Sequence, residues 1–181
     1  MIAVFLDRDG VINKYPGDKK YVTSQKKFRF LPNAKRAIAR LHKNNFSLFV
    51  VSNQAGVGRG IYSQKTLDSS TSNMLSEIEK AGGKIEAVYY CTHRKQVNCP
   101  CRKPKAGLID LARKKYPINL KKSFFIGDTI RDVNTAKAAG CKSILVLSGR
   151  EKLKNQNSWE IRPDLVFKNL LKAADFILSQ R

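Results

Sequence analysis

Short apolar runs of strand length recur along this chain, and the clearest of them lead directly into a polar turn. Residues 2–6 precede DRDG, residues 46–51 precede SNQAG, and residues 124–126 precede GDT. Continuous apolar runs of this length are typical of strands that are buried on both faces, as in a parallel sheet. Two less sharply bounded runs, residues 85–90 and 144–147, bring the predicted number of strands to five.

Amphipathic helical patterns separate these strands. In the first helix, Asn33 is the predicted N-cap, and the apolar face is formed by Ala34, Ala37, Ile38 and Leu41. The other predicted helices contain Leu67, Met74, Leu75 and Ile78, or cover residues 108–115, residues 133–139 with Gly140 as the stop, and residues 170–178. Strands that alternate with helices predict an α/β fold, a Rossmann-like parallel sheet with helices on both faces.

Length and composition restrict the class of protein. The 181 residues, of which 42% are hydrophobic and 27% charged, predict a single globular domain over residues 1–181. No apolar run approaches the roughly 20 residues of a membrane helix, and the amino terminus has no basic leader. We therefore expect a cytoplasmic protein that does not contact a membrane, and we expect a monomer.

The net charge of +21 is the most unusual property of the composition. It favours anionic partners, which include phosphorylated metabolites, nucleic acid and acidic surfaces. The charge does not distinguish among them, and a proteome that is basic throughout would explain it equally well.

The polar turns predict where a ligand binds. In parallel α/β sheets the site lies at the carboxyl ends of the strands, so DRDG, SNQAG and GDT would converge if their strands are neighbours. Two irregular stretches, residues 13–27 and 92–105, are predicted to be loops that rim this site.

Three of the four cysteines lie close together beside a histidine. Cys91 and His93 form C-x-H, and Cys99 and Cys101 form C-x-C, which are four ligands of the types that zinc takes in closed tetrahedral sites. We predict a structural zinc that stabilises this loop. Disulfides or free thiols are the alternative, which a cytoplasmic location disfavours. Cys141 is predicted to be a buried thiol without a reactive role.

The polar motifs resemble those of a known superfamily. The turn D-x-D-G alone fits several functions, but the full set follows the order found in the haloacid dehalogenase superfamily, over the stretch from Asp7 to Gly140. The residues that carry the resemblance are Asp7 and Asp9, Ser52 and Asn53, Lys103 in CRKP, and Gly127, Asp128 and Asp132.

The resemblance implies a magnesium-dependent phosphatase that acts through an aspartyl-phosphate intermediate. Asp7 would be the nucleophile and would bind magnesium together with the backbone carbonyl of Asp9 and the carboxylate of Asp128, with Asp132 supporting the metal shell. The Asp9 side chain would act first as general acid and then as base. Ser52 would hold the phosphoryl oxygens. Magnesium would reduce the repulsion between a carboxylate and a phosphate dianion.

Lys103 has two interpretations. In so basic a chain, spacing alone favours a surface lysine, but the position in CRKP matches the lysine motif of the superfamily. By that resemblance Lys103 would balance the charge of the carboxylates and the phosphate.

A closer resemblance is to the bacterial D-glycero-D-manno-heptose 1,7-bisphosphate phosphatases of lipopolysaccharide precursor synthesis. The shared features are FLDRDG, a strand that ends in [ST]-N-Q-x-G, the C-x-H and C-x-C loop, and CRKP. By this resemblance Arg102 would bind a substrate phosphate, and Asn53 would contribute to phosphate binding. Asp18 and Tyr21 would be the first and last residues of the segment that binds substrate, which reads D-H-G-Y in that family and DKKY here.

The spacing of the motifs leaves no room for a large cap domain. No long insertion separates Asp9 from Ser52 or Ser52 from Lys103. We therefore expect an open site, with specificity supplied by short loops.

Three other functions remain open. Histidinol-phosphate phosphatases carry the same cysteine loop. Nucleic acid 3'-phosphatases of the superfamily share T-N-Q-x-x-I-G-R-G, which resembles residues 52–60 and suits the charge, although their pattern has no zinc loop. A non-catalytic basic binding module would have a broken catalytic set, whereas this set is complete. The predicted partner is therefore a small phosphorylated metabolite, and a sugar bisphosphate is the favoured one.

Overall fold

The computed structural model of the chain describes residues 1–180. Over this range the elements are β1 (Ala3–Leu6), α1 (Ala34–Lys43), β2 (Ser47–Asn53), α2 (Gln64–Lys80), β3 (Ala87–Cys91), α3 (Gly107–Lys115), β4 (Phe124–Gly127), α4 (Ile130–Ala139), β5 (Lys142–Val146), β6 (Leu165–Phe167) and α5 (Leu170–Ser179). The strands form one parallel sheet in the order β3-β2-β1-β4-β5-β6.

The sheet is buried between two helical layers. In β1, Val4 and Leu6 join one apolar cluster, which contains residues of α1, α2 and α5, while Ala3 and Phe5 join a second cluster with residues of α3 and α4. Because successive side chains of a strand point to opposite faces, a strand covered on both sides is continuously apolar. The predicted Rossmann-like sheet with helices on both faces is confirmed.

Two details of the sequence prediction were wrong. The sheet has six strands where five were predicted, and the additional strand, β6, is a short edge strand whose three residues, LVF, are only half-buried. Asn33 adopts the left-handed conformation with φ 62° and its side chain forms no capping hydrogen bond. Gly140, in contrast, ends α4 at φ 77° as predicted, because glycine has no Cβ to disfavour this conformation.

The order of the strands places the polar motifs together. The chain moves from β1 to β2 and β3 on one side of the sheet, and then returns to β4, β5 and β6 on the other. A crevice forms beside β1 at this change of direction, which is where ligands bind in open α/β sheets. DRDG, SNQAG and GDT follow the three central strands and therefore border the same crevice.

Short segments surround the crevice. The connection from β1 to α1 contains only a 3-10 helix at Gln25–Lys27, and the loop after β3 contains one at Lys95–Val97. Neither connection forms a separate domain, which confirms the prediction that there is no large cap. None of the helices in residues 1–180 has the length and apolar composition of a membrane span.

Candidate active site

Three buried aspartates meet at the carboxyl end of the sheet. Asp7 follows β1, Asp128 follows β4, and Asp132 lies in the first turn of α4. One carboxylate oxygen from each lies within 4.8 Å of the others, and none of the three residues is more than 9% exposed. Three carboxylates this close repel one another, so the group requires compensating positive charge.

Lys103 supplies part of that charge. Its Nζ lies 3.0 Å from Asp7 Oδ2 and 2.6 Å from Asp132 Oδ1, and the residue is buried. Burial disfavours the ammonium, but the charges of Asp132 and Asp7 outweigh it and raise the pKa of Lys103. Three carboxylates against one ammonium leave an excess of two negative charges. Oxygen ligands with this excess suit a hard divalent cation such as magnesium.

Backbone groups orient the other two carboxylates. The amide N–H of Arg150 donates to Asp128 Oδ2 at 2.8 Å, and a Cβ at Gly149 would overlap that carboxylate. Asp132 Oδ2 accepts from the N–H and the hydroxyl of Thr129 at 3.1 and 2.6 Å, in a capping box at the start of α4. The other oxygen of Asp132 thereby faces Lys103.

The buried charges predict a pH-dependent response to magnesium. Burial raises the pKa of Asp7 to about 6, opposed by Lys103 and reinforced by Asp132. Burial and the charges of Asp7 and Asp132 also raise the pKa of Asp128. Because the pKa of Asp7 is higher in the folded than in the unfolded chain, protonated Asp7 contributes to the free energy of unfolding at low pH. This contribution is fully present below about 3.8, the pKa in the unfolded chain, and is lost as the pH rises to about 6, the pKa in the folded chain.

We therefore expect magnesium to raise the midpoint of thermal unfolding more at pH 7 than at pH 5, because at pH 5 the ion must displace protons from the cluster. Scanning calorimetry with magnesium chloride, matched in ionic strength by sodium chloride, measures this. The exposed Asp68→Asn variant should behave like the wild type. An equal magnesium shift at both pH values would contradict binding at these carboxylates.

Asp9 lies beside the cluster, and its carboxylate forms a separate set of contacts. Oδ1 accepts from Asn13 Nδ2 at 2.8 Å and from Arg8 at 3.1 Å, and Oδ2 accepts from Gln54 Nε2 at 3.0 Å. The carboxylate is outside the group of three that lie within 4.8 Å of one another. The predicted division of roles, in which the Asp9 side chain handles protons and only its backbone carbonyl reaches the metal, stays a prediction.

The last two residues of β2 border the cluster, and one of them holds the backbone of Lys103. Ser52 is buried, and its Oγ accepts from Gln54 Nε2 at 3.2 Å. Asn53 Oδ1 accepts from the Lys103 N–H at 3.1 Å, and its Nδ2 donates to the Lys103 carbonyl at 3.2 Å. Asn53 therefore fixes the backbone of the segment that carries the buried lysine, and its contact with substrate stays a prediction.

The four residues of the cysteine loop lie together. Cys91 Sγ is 3.5 Å from Cys99 Sγ, which is 3.2 Å from Cys101 Sγ, and His93 Nδ1 lies 3.9 and 3.3 Å from the sulfurs of Cys91 and Cys101. All four cysteines of the chain are free. Zinc–sulfur bonds of about 2.3 Å place tetrahedral sulfurs about 3.8 Å apart, so these atoms fit around one zinc ion. Cys141 is buried and apart from them, as predicted.

The predicted substrate residues line a cleft of about 210 Å³ above the carboxylates. Asp18 Oδ1 pairs with Arg150 Nε at 3.1 Å and accepts from the Tyr15 hydroxyl at 2.5 Å. Arg102 donates to the His93 carbonyl at 3.1 Å, which ties the arginine to the cysteine loop. The predicted site residues at this cleft are Asp7, Asp9, Asp18, Tyr21, Ser52, Asn53, Arg102, Lys103 and Asp128.

Sequence reasoning missed several residues at the site. Arg8 is buried against the rings of Phe28 and Tyr90 and pairs with Asp9. No spacing rule identifies an arginine buried between distant aromatic residues. Arg150 was also missed, although a signal was present, since SGR follows the apolar run of β5 as the other polar motifs follow theirs.

This fold and this site define a phosphatase of the haloacid dehalogenase class, and comparisons with known proteins support that class. The HAD-hydrolase-like family model matches residues 100–173. A D-glycero-beta-D-manno-heptose-1,7-bisphosphate 7-phosphatase from a strain of Helicobacter pylori is 34% identical over 176 residues, which are 97% of this chain and 96% of the relative. A D-glycero-alpha-D-manno-heptose-1,7-bisphosphate 7-phosphatase from Campylobacter jejuni is 35% identical over 150 residues, 83% of this chain and 84% of the relative. The chain belongs to the D-glycero-D-manno-heptose 1,7-bisphosphate 7-phosphatase family.

A solved structure supports the same family. The D,D-heptose 1,7-bisphosphate phosphatase from B. bronchiseptica, complexed with magnesium and phosphate, has a TM-score of 0.93 and 30% sequence identity, and the match covers 100% of both chains.

Proposed function

We propose that this protein removes the 7-phosphate of D-glycero-D-manno-heptose 1,7-bisphosphate in a magnesium-dependent reaction. The observation that carries the proposal is the cleft itself, in which the buried cluster of Asp7, Asp128 and Lys103 opens beside Arg102 on the cysteine loop. One end is suited to phosphoryl transfer, and the other offers a cation for a second phosphate. Relatives that are 34% and 35% identical to this chain carry this activity in their names.

In the proposed reaction, a carboxylate oxygen of Asp7 attacks phosphorus and the bond from phosphorus to the sugar oxygen breaks. Asp9 donates a proton to the departing alkoxide. Asp9 then removes a proton from water, which attacks the aspartyl-phosphate, releases phosphate and regenerates Asp7. Magnesium held by Asp7, Asp128 and the Asp9 carbonyl would neutralise charge during this reaction.

Lys103 and Ser52 would stabilise the phosphoryl group during transfer. Lys103 already pairs with Asp7 Oδ2, so its ammonium lies beside the oxygens that gain charge. Ser52 is buried next to the same carboxylate. Asp132 and Asn53 hold the lysine at its two ends, through the side chain and the backbone.

We also propose that Cys91, His93, Cys99 and Cys101 bind a structural zinc ion. Between Cys91 and Cys101 the loop contains only a 3-10 turn with no buried residue, and Cys99 is the one loop residue buried in the core. Little apolar packing therefore stabilises this loop. Arg102 directly follows the last ligand. The ion would thus determine the position of the arginine that we assign to the second phosphate.

Phosphate release from four substrates tests the proposal. With magnesium, we expect kcat/KM for one anomer of heptose 1,7-bisphosphate to exceed that for histidinol phosphate and a 3'-phosphorylated oligonucleotide at least about 100-fold, because of these substrates only the bisphosphate carries two phosphate monoesters for the two ends of the cleft. Both anomers are assayed, since relatives of either specificity match this chain. Activity without magnesium should be negligible.

A matched variant tests the second-phosphate site. Arg102→Ala should raise KM for the bisphosphate and change KM for heptose 7-phosphate little. Faster phosphate release from the 3'-phosphorylated oligonucleotide than from heptose 1,7-bisphosphate would assign the enzyme to nucleic acid ends instead.

Three properties stay predictions from the sequence: the cytoplasmic location, the monomeric state and the single domain over residues 1–181.

A further inference from the structure

Tyr62 is a buried residue near the active site that the proposed reaction does not use. It lies in the connection between β2 and α2 and is 7% exposed. Its hydroxyl donates a hydrogen bond of 2.7 Å to Gln54 Oε1, and Gln54 is 2% exposed. A buried hydroxyl and a buried amide in contact leave little freedom to either side chain.

The contact with Tyr62 determines which way the Gln54 amide faces. Because Oε1 accepts from Tyr62, the two hydrogens of Nε2 point to Asp9 Oδ2 at 3.0 Å and to Ser52 Oγ at 3.2 Å. The reversed amide would place its oxygen against the Asp9 carboxylate, bringing two acceptors together without a proton between them. The Tyr62 hydroxyl therefore selects the orientation in which Gln54 donates to Asp9.

Gln54 is the residue distant in sequence that donates a hydrogen bond to the Asp9 carboxylate. Among residues 1–180, the other side chains that donate to this carboxylate are Arg8 and Asn13, which belong to the same turn as Asp9. Gln54 directly follows β2, the strand beside β1, and of the two carboxylate oxygens it contacts Oδ2 alone. Because Gln54 also donates to Ser52 Oγ, it links the Asp9 carboxylate to the serine that we assign to phosphate binding.

The ring of Tyr62 is held by its surroundings. A Cβ at Gly56 would overlap the ring, so the glycine of SNQAG provides the space that the ring fills. The Tyr21 ring also packs against it, with centroids 6.2 Å apart. Tyr21 itself lines the cleft. These two contacts of the ring restrict the position of the hydroxyl.

We propose that Tyr62 is a positioning residue, which through Gln54 orients the Asp9 carboxylate toward the oxygen of the leaving group. The inference rests on the proposed role of Asp9 as general acid. It predicts that loss of the hydroxyl slows the transfer step only when the leaving group needs a proton. A merely structural role would slow the reaction of every phosphate ester alike.

Rapid-quench measurement of the first turnover tests this with Tyr62→Phe. For heptose 1,7-bisphosphate, an alkyl phosphate, we expect a rate about tenfold below that of the wild type and KM unchanged within about twofold. For p-nitrophenyl phosphate, whose phenolate leaves without a proton, we expect the wild-type rate. Gly56→Ala, which displaces the ring, should show the same selectivity.

Two further variants make the outcome decisive. Tyr89→Phe removes a buried hydroxyl that has no hydrogen-bond partner in residues 1–180 and should match the wild type with both esters. Asp9→Asn should show the larger alkyl-selective loss. If Asp9→Asn slows only the alkyl ester and Tyr62→Phe shows no such selectivity, the proposed role of Tyr62 is wrong. If Asp9→Asn slows both esters equally, the proposed acid is wrong and Tyr62 loses its role with it. Any alkyl phosphate that the wild type hydrolyses serves, so an error in the assigned sugar does not affect the result.

Discussion

Asp7→Asn is expected to lower kcat at least about a thousandfold with saturating magnesium, which corresponds to about 4 kcal/mol of lost transition-state stabilisation. The amide cannot attack phosphorus as the carboxylate does, and its single oxygen replaces the two carboxylate oxygens that we propose as nucleophile and metal ligand. Phosphate release and rapid-quench isolation of phosphorylated protein measure the effect. Covalent phosphate should be found in the wild type and be absent from the variant.

The fold of the Asp7→Asn variant should be intact, which separates chemistry from stability. The burial that raises the pKa of Asp7 to about 6 shows that its charge is costly in the metal-free fold. A neutral amide removes that charge from a group with two other carboxylates, so the unfolding midpoint without magnesium should be unchanged or higher. Asp110→Asn, an exposed position on α3, provides the matched control. Full activity in Asp7→Asn would refute the aspartyl-phosphate mechanism.

Cys101→Ser is expected to abolish stoichiometric zinc binding and to lower the free energy of unfolding by at least about 3 kcal/mol, because metal coordination replaces apolar packing in this loop. The wild type should contain one zinc ion per chain by elemental analysis. Since Arg102 and Lys103 directly follow this ligand, kcat/KM for the bisphosphate should fall as well. Denaturant unfolding and steady-state kinetics measure the two effects.

Cys141→Ser is the control for the zinc prediction. Cys141 is equally a free thiol, but it is buried beneath α4, where its Sγ contacts the Ala136 carbonyl at 3.6 Å. This variant loses some stability through a changed core contact, yet should retain its zinc and its kcat. A Cys101→Ser protein that still bound one zinc ion, or a wild type without zinc, would show that the four residues do not form the proposed site.

Much of the fold could be predicted because its causes are local in sequence. The apolar runs of β1, β2 and β4 reflect strands buried on both faces, and the helices carry their apolar residues at helical spacing. Where local signals were weak, prediction failed. β6 is short and half-buried, and the conformation of Asn33 depends on how the chain enters α1.

Sequence by itself determined the class of chemistry, from the polar motifs that follow the strands and from the ligand types in the cysteine loop. Tertiary structure decided how those residues act on one another. Asn53 supports the backbone of Lys103, Arg8 is buried against Phe28 and Tyr90, and Gln54 donates to Asp9. These contacts join different turns and elements, and their energies depend on burial and on distances of a few ångströms. Spacing along the chain carries no information about either quantity, so only the folded arrangement of the strands could reveal them.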